Sequence, residues 1–194
     1  MKLLNMKDKV AYIIAGPNGS GKTTFAREFI KETGLLFLNA DEIALKLAPR
    51  QIETARIRAG KIFLTQIETS VAKGKSFIVE TTLSGKYFIS LIDKLRKNNY
   101  RIEITYIFVE TVEEAIRRID IRVRKGGHPV PPADVKRRFP RSKANFWKTY
   151  RLLVNNWKIF LNSKDEFSQV AAGERNEIEV IDEVKFSLFK GGVV

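Results

Sequence analysis

Eight consecutive residues, Gly16-Pro17-Asn18-Gly19-Ser20-Gly21-Lys22-Thr23, constrain this chain more than anything else in it: they match G-x-x-x-x-G-K-[ST]. The run VAYIIA at residues 10–15 precedes them, short, apolar and unbroken, as a buried parallel strand is. A helical pattern over residues 24–31 follows. Strand, glycine-rich turn and helix together make an anion cradle. Glycines let successive backbone N–H groups turn inward, and the helix N-terminus adds its dipole and free N–H groups. Lys22 is then expected on the β- and γ-phosphates of ATP, and the Thr23 hydroxyl on magnesium (Mg2+). Gly16, Asn18, Gly19, Ser20, Gly21, Lys22, Thr23 and Thr24 are the candidate nucleotide-binding residues. A glycine turn with an incidental Lys-Thr would need neither the strand nor the helix.

Strand and helix signals alternate downstream. Residues 35–38 and 77–79 read as short strands, the second ended by Glu80-Thr81-Thr82. Residues 53–73 carry an apolar stripe at Ala55, Ala59, Ile62, Phe63, Ile67 and Val71. Phe88, Ile89, Ile92 and Leu95 mark another helix, stopped by Asn98-Asn99. Residues 102–109 read as a strand, and Val112, Ala115, Ile116, Ile119 and Val123 as a helix ending at Gly126-Gly127. A helical stretch opens after Pro129-Val130-Pro131-Pro132; Pro140 is expected to break or kink it before residues 142–155 resume it. Residues 159–161 read as a late strand, and 167–172 with 177–182 as a C-terminal hairpin around residues 173–176. The expected fold is α/β: a P-loop NTPase with a parallel sheet of about five strands, helices on both faces and a C-terminal hairpin, in one domain over residues 1–194.

Composition narrows the partners. No apolar run approaches a membrane span, and residues 1–9 hold no apolar leader core, so the expectation is a cytoplasmic protein with no membrane contact. Without cysteine, disulfide frameworks and cysteine-bound zinc are excluded. The net charge of +13 calls for acidic partners. Much of it is local: residues 117–143 hold ten basic side chains against Asp120 and Asp134. That block is expected to be an arginine-rich helical lid. No N-K-x-D stands anywhere in the chain, which excludes the usual GTPase base reader, and Leu83-Ser84-Gly85 is too short for a transporter-type ATPase signature. A compact kinase resembling the nucleoside-monophosphate kinases remains.

Two carboxylates speak for the acceptor side. Asp41 follows the second strand, and in a parallel sheet ligands gather at strand C-terminal ends. A carboxylate there can take the proton of an attacking hydroxyl, which is the favoured role, and Asp41 could also cap the helix that follows, the two roles being compatible. Glu80 and Thr82, at the end of the third strand, are candidate acceptor contacts, and Glu80 could also orient magnesium through water. Arg118 and Arg122 share one helical face and are candidates for charge neutralisation; Arg137 is a candidate nucleotide contact. The lone His128 is read as a structural turn residue, and Trp147 and Trp157 as core.

Taken together, AGPNGSGKTT (residues 15–24), NADEIA (39–44), VETTLSG (79–85), RVRKGGHPVPPADVKRRFPRS (122–142) and Asn145-Phe146 resemble the zeta-toxin-like kinase family, in particular its short stand-alone homologues with GGHxVP. The likeness covers roughly residues 10–170. It implies a P-loop kinase fold and ATP-dependent phosphorylation. It also implies UDP-N-acetylglucosamine as one acceptor in the family and, for some members, an antitoxin protein. By motif, Lys22 and Thr23 would hold phosphate and magnesium, Asp41 would be the general base, and Arg118 and Arg122 the phosphate clamps. Three readings stay open: a small-molecule hydroxyl kinase, which is favoured; a polynucleotide or RNA hydroxyl kinase; and a nucleic-acid-binding module switched by ATP.

Overall fold

Unbroken apolar runs become the middle of a sheet buried on both faces. Strand β1 (Val10–Ala15) lies between β3 (Phe77–Thr81) and β4 (Arg101–Phe108), with β2 (Leu36–Leu38) outside β3 and β5 (Asn156–Ser163) outside β4. These five run parallel. Strands β6 (Glu166–Glu174) and β7 (Glu177–Val180) continue antiparallel, giving the order β2-β3-β1-β4-β5-β6-β7. The expected hairpin therefore extends the main sheet to seven strands. It does so because β6 pairs along the whole of β5 and covers an edge that would otherwise be open. The computed structural model describes residues 9–49, 51–164, 166–174 and 176–191; residues 1–8, read above for a leader, and Arg175 in the hairpin turn lie outside them.

Helices cover both faces. On one, α3 (Ile52–Ala72) and α4 (Tyr87–Lys97) set Phe63, Ile67, Leu91 and Ile92 against Ile13, Phe77 and Ile104. On the other, α1 (Lys22–Thr33) buries Ala26 against Ile14, Ile78 and Ile107. The short α2 (Ala40–Leu47) lies on α3 through Ala44, Ala55 and Ala59, small residues that let the two helices approach closely. A separate small core of Val109, Ala115, Ile119, Val130 and Val135 joins α5 (Val112–Arg124) to α6 (Pro132–Asn145).

Helix α6 runs through Pro140 without breaking there. Pro140 faces solvent, so the lost hydrogen bond falls on the wet side, while Val135 and Ser142 hold the buried side in place. The irregularity comes later, as a π-helical turn at Phe146–Tyr150 before the single turn α7 (Arg151–Leu153). That turn buries Phe146, Trp147 and Tyr150; Tyr106 stacks on Phe146 at 4.4 Å between ring centres. Trp147 and Trp157 are core, as read from the sequence. A last helix, α8 (Glu183–Lys190), was not anticipated: Asp182 caps it by accepting from the Lys185 N–H, and Phe186 and Phe189 pack on Trp147. Among the described residues, no helix is long and apolar enough to cross a membrane.

Candidate active site

The parallel register brings the ends of β1 and β3 together, Ala15 beside Thr81, so the glycine-rich loop turns over the Glu80 side chain. Lys22 opens α1 and is 7% exposed; its Nζ donates to the Pro17 carbonyl at 2.8 Å and lies 4.0 Å from Glu80 Oε1. Burial pushes the Lys22 ammonium below its ordinary value, and Glu80 opposes that. Burial likewise pushes Glu80 up, against the pull of Lys22 and a hydrogen bond from Thr23. Thr23 Oγ1 and Asn39 Nδ2 both donate to Glu80 Oε2 at 2.9 Å. Gly21 has φ +92°, and a Cβ there would overlap the Asn162 amide, so only glycine fits this end of the loop. Thr24 is exposed on the first turn of α1.

Asp41 stands on α2, at the end of β2. The capping role goes to Asn39, whose Oδ1 accepts from the Asp41 and Glu42 N–H groups at 2.8 and 3.2 Å. Asp41 is thus inside the first turn, and its carboxylate is left for other work. His128 Nε2 lies 3.6 Å from Asp41 Oδ2, and this contact, helped by Lys22 and Arg56, holds the carboxyl below its usual range against burial. Arg122 reaches the same place from α5: it donates to the His128 carbonyl at 2.8 Å and feels both Asp41 and Glu80. The GGHPVP turn therefore belongs to the site, although the sequence reading left His128 as a turn residue.

The remaining arginines divide. Arg118 is 14% exposed; its Nε donates to Glu114 and a terminal nitrogen donates to the Asn162 carbonyl at 3.3 Å. Asn162 Nδ2 in turn donates to the Ser20 carbonyl at 3.0 Å, so α5, the end of β5 and the loop are tied together. Sequence reasoning missed Asn162. Its signal was a lone amide at the end of the apolar run IFLN, at the edge of the sheet where ligands gather. Arg56, on α3, was also missed, because only tertiary packing brings it to Asp41. Arg137 pairs with Asp134 at 2.7 Å on the exposed side of α6. Thr82 meets the Ser84 hydroxyl at 2.9 Å, and its carbonyl accepts from Ser142, which fastens β3 to α6.

The residues fit a nucleoside polyphosphate with magnesium. Asn18 Oδ1 and Ser20 Oγ are buried in the loop, and Arg122 Nε beside it, without a hydrogen-bond partner among the described residues, as polar atoms facing a ligand would be. No group of three or more His, Asp or Glu is arranged to hold a metal among those residues. Magnesium takes one or two protein oxygens and completes its shell with phosphate and water. Thr23 Oγ1 and Glu80 would supply them.

Solved structures share this fold. The complex of AvrRxo1-ORF1 with AvrRxo1-ORF2 holding sulphate ions matches with TM-score 0.76 at 17% identity, over 96% of this chain and 65% of that one. The same complex with ATP matches with TM-score 0.72 at 20% identity, again over 96% and 65%. This chain thus spans about two thirds of the length of those relatives. The PezAT toxin–antitoxin system of Streptococcus pneumoniae matches with TM-score 0.65 at 15% identity, over 98% of this chain and 87% of that one. In sequence, a Haemophilus influenzae protein of undescribed activity is 32% identical over 138 residues, 71% of this chain and 97% of its own length. With the loop, the Asp41 region and the arginine-bearing helices α5 and α6 all inside the matched residues 2–166, the chain belongs to the zeta toxin family of P-loop kinases.

Proposed function

We propose that this chain is an ATP-dependent kinase that passes the γ-phosphate to a hydroxyl of a small molecule, with a UDP-amino sugar as the first acceptor to test. The observation that carries the reading is one connected charge set. Buried Lys22 meets Glu80, which also holds Thr23, and Asp41 and Arg122 act on the same lysine from across the cleft. That set contains the parts of in-line phosphoryl transfer: a phosphate cradle, cations for the transferring group and a base for the attacking oxygen.

Asp41 takes the proton of the acceptor hydroxyl as its oxygen attacks phosphorus. Its carboxyl, held low by His128, is ionised at neutral pH and ready to accept. Lys22, Arg118 and Arg122 balance charge on the transferring phosphoryl group, and residues 117–143 act as a lid that excludes water. Magnesium, when bound by Thr23 and Glu80, supplies further neutralisation of phosphate oxygens.

Many of the lid cations are already engaged within their helices. Arg117 pairs with Glu114, and Arg137 and Arg138 with Asp134. This speaks for a small acceptor over a polynucleotide, which needs many unpaired cations along its phosphates. The AvrRxo1 and PezAT relatives come from two-protein systems, which supports a protein antitoxin as a partner.

Incubation with labelled ATP and a panel of hydroxyl acceptors, including UDP-N-acetylglucosamine and a short RNA, tests the reading. Label on a small acceptor is expected. Label on RNA at moderate salt would favour the polynucleotide kinase, and label only in free phosphate would overturn the kinase reading.

A further inference from the structure

We propose that His128 is a positioning residue for Asp41: it holds Oδ2 of that carboxylate through Nε2–H and leaves Oδ1 to face the acceptor hydroxyl. The inference rests on the kinase reading for its catalytic consequence, but its structural content stands apart from it.

Three features of the turn place the imidazole. Gly127 packs so tightly on Arg122 that a Cβ there would overlap the arginine side chain, so this position of the turn takes only glycine. Gly126 takes φ +86°, which reverses the direction of the chain. Arg122 then donates to the His128 carbonyl at 2.8 Å and clamps the turn from below. The result sets His128 Nε2 3.6 Å from Asp41 Oδ2, with the imidazole side chain 18% exposed and the carboxylate half exposed. Contacts of this kind are often long before substrate binds and shorten when the site closes.

The geometry also joins two ends of the cleft. Arg122 feels Asp41 and Glu80, and Lys22 feels Asp41 and Arg122. A phosphate group drawing Arg122 toward the loop would pull on the same turn that carries His128. Substrate on the nucleotide side would thereby set the base on the acceptor side.

His128 is the only histidine in the chain, so its imidazole nitrogen resonances can be read in the intact protein without ambiguity. The expected result is a proton on Nε2 and resonances that move on Asp41→Ala. A proton confined to Nδ1, or resonances unchanged by that substitution, overturns the proposal whatever the enzyme phosphorylates. In kinetics with whichever acceptor the labelled-ATP panel identifies, His128→Ala should lower kcat about tenfold to a hundredfold, with KM for ATP little changed. His128→Gln, whose amide can donate to the same oxygen, should recover most of that loss. Alanine and glutamine variants equal to each other, or a loss confined to KM for ATP, would overturn the positioning role. Absence of transfer to any acceptor by the unaltered protein would defeat the kinase reading while leaving the resonance test to decide this one.

Discussion

The phosphate loop and the helix faces that carry Asp41 and the arginines are built by different means. On the nucleotide side, backbone and buried side chains are interlocked: Lys22 on the Pro17 carbonyl, Thr23 and Asn39 on Glu80, Asn162 on the Ser20 carbonyl. On the side of Asp41, charged groups stand on the surfaces of α2, α5 and α6, and several pair within their own helix, as Arg137 does with Asp134. Exposed pairs of that sort contribute little to stability. An interlocked cradle therefore faces charged side chains held in part by exposed pairs within their own helices.

The sharpest way to break this contrast is at Lys22. Lys22→Ala removes the buried cation of the cradle and should lower kcat/KM for ATP by on the order of a hundredfold to a thousandfold. Steady-state kinetics and nucleotide-binding calorimetry check it. A variant with normal ATP affinity would show that the nucleotide side does not work as described. Asp41→Asn tests the other side: phosphoryl transfer should fall about a hundredfold or more while ATP affinity holds. If ATP turnover without acceptor product is all the protein ever shows, and this variant leaves it unchanged, an ATP-driven switch would replace the kinase.

Two smaller effects sharpen the comparison. Gly21→Ala forces a side chain onto a positive φ and into Asn162, and should destabilise the fold by about 1–3 kcal/mol, with ATP affinity reduced. Thermal unfolding with and without ATP measures both. Weakest is Glu114, whose carboxyl is drawn down to about 2 by hydrogen bonds from Arg117 and Arg118. Because the folded value lies below the ordinary 4.5, its contribution is present above about pH 4.5 and is lost as pH falls toward 2. Glu114→Gln should flatten that acid limb of an unfolding-versus-pH curve by less than about 1 kcal/mol, because the pair is solvent-screened. An equal slope in both proteins would remove Glu114 as the anchor of Arg118.

Much of the fold was legible where local signals agree with the tertiary outcome. VAYIIA is β1 to the residue, the apolar stripe over residues 53–73 is α3 within one residue at each end, and Asn98 does end α4. Local signals failed where packing outweighed propensity. Pro140 stays helical because its missing N–H faces solvent, and α8 escaped notice because its phenylalanines gain their meaning only against Trp147. The site divides the same way. Its loop is contiguous and was read directly. Asn162 lies 142 residues from the Ser20 carbonyl it holds, and no spacing rule links them.

By itself, the amino-acid sequence determined the phosphate cradle, because a strand, a glycine turn and a helix N-terminus act through backbone groups that neighbouring residues specify. It also determined the alternation of strands and helices, through apolar periodicity. Only the tertiary structure decided which side chains face the cradle. That Asn39 and not Asp41 caps α2, that Arg122 clamps the GGHPVP turn and that His128 reaches Asp41 all depend on elements distant in the chain meeting at the ends of parallel strands. Side-chain chemistry across a cleft is set by where helices pack, and that is a property of the whole core.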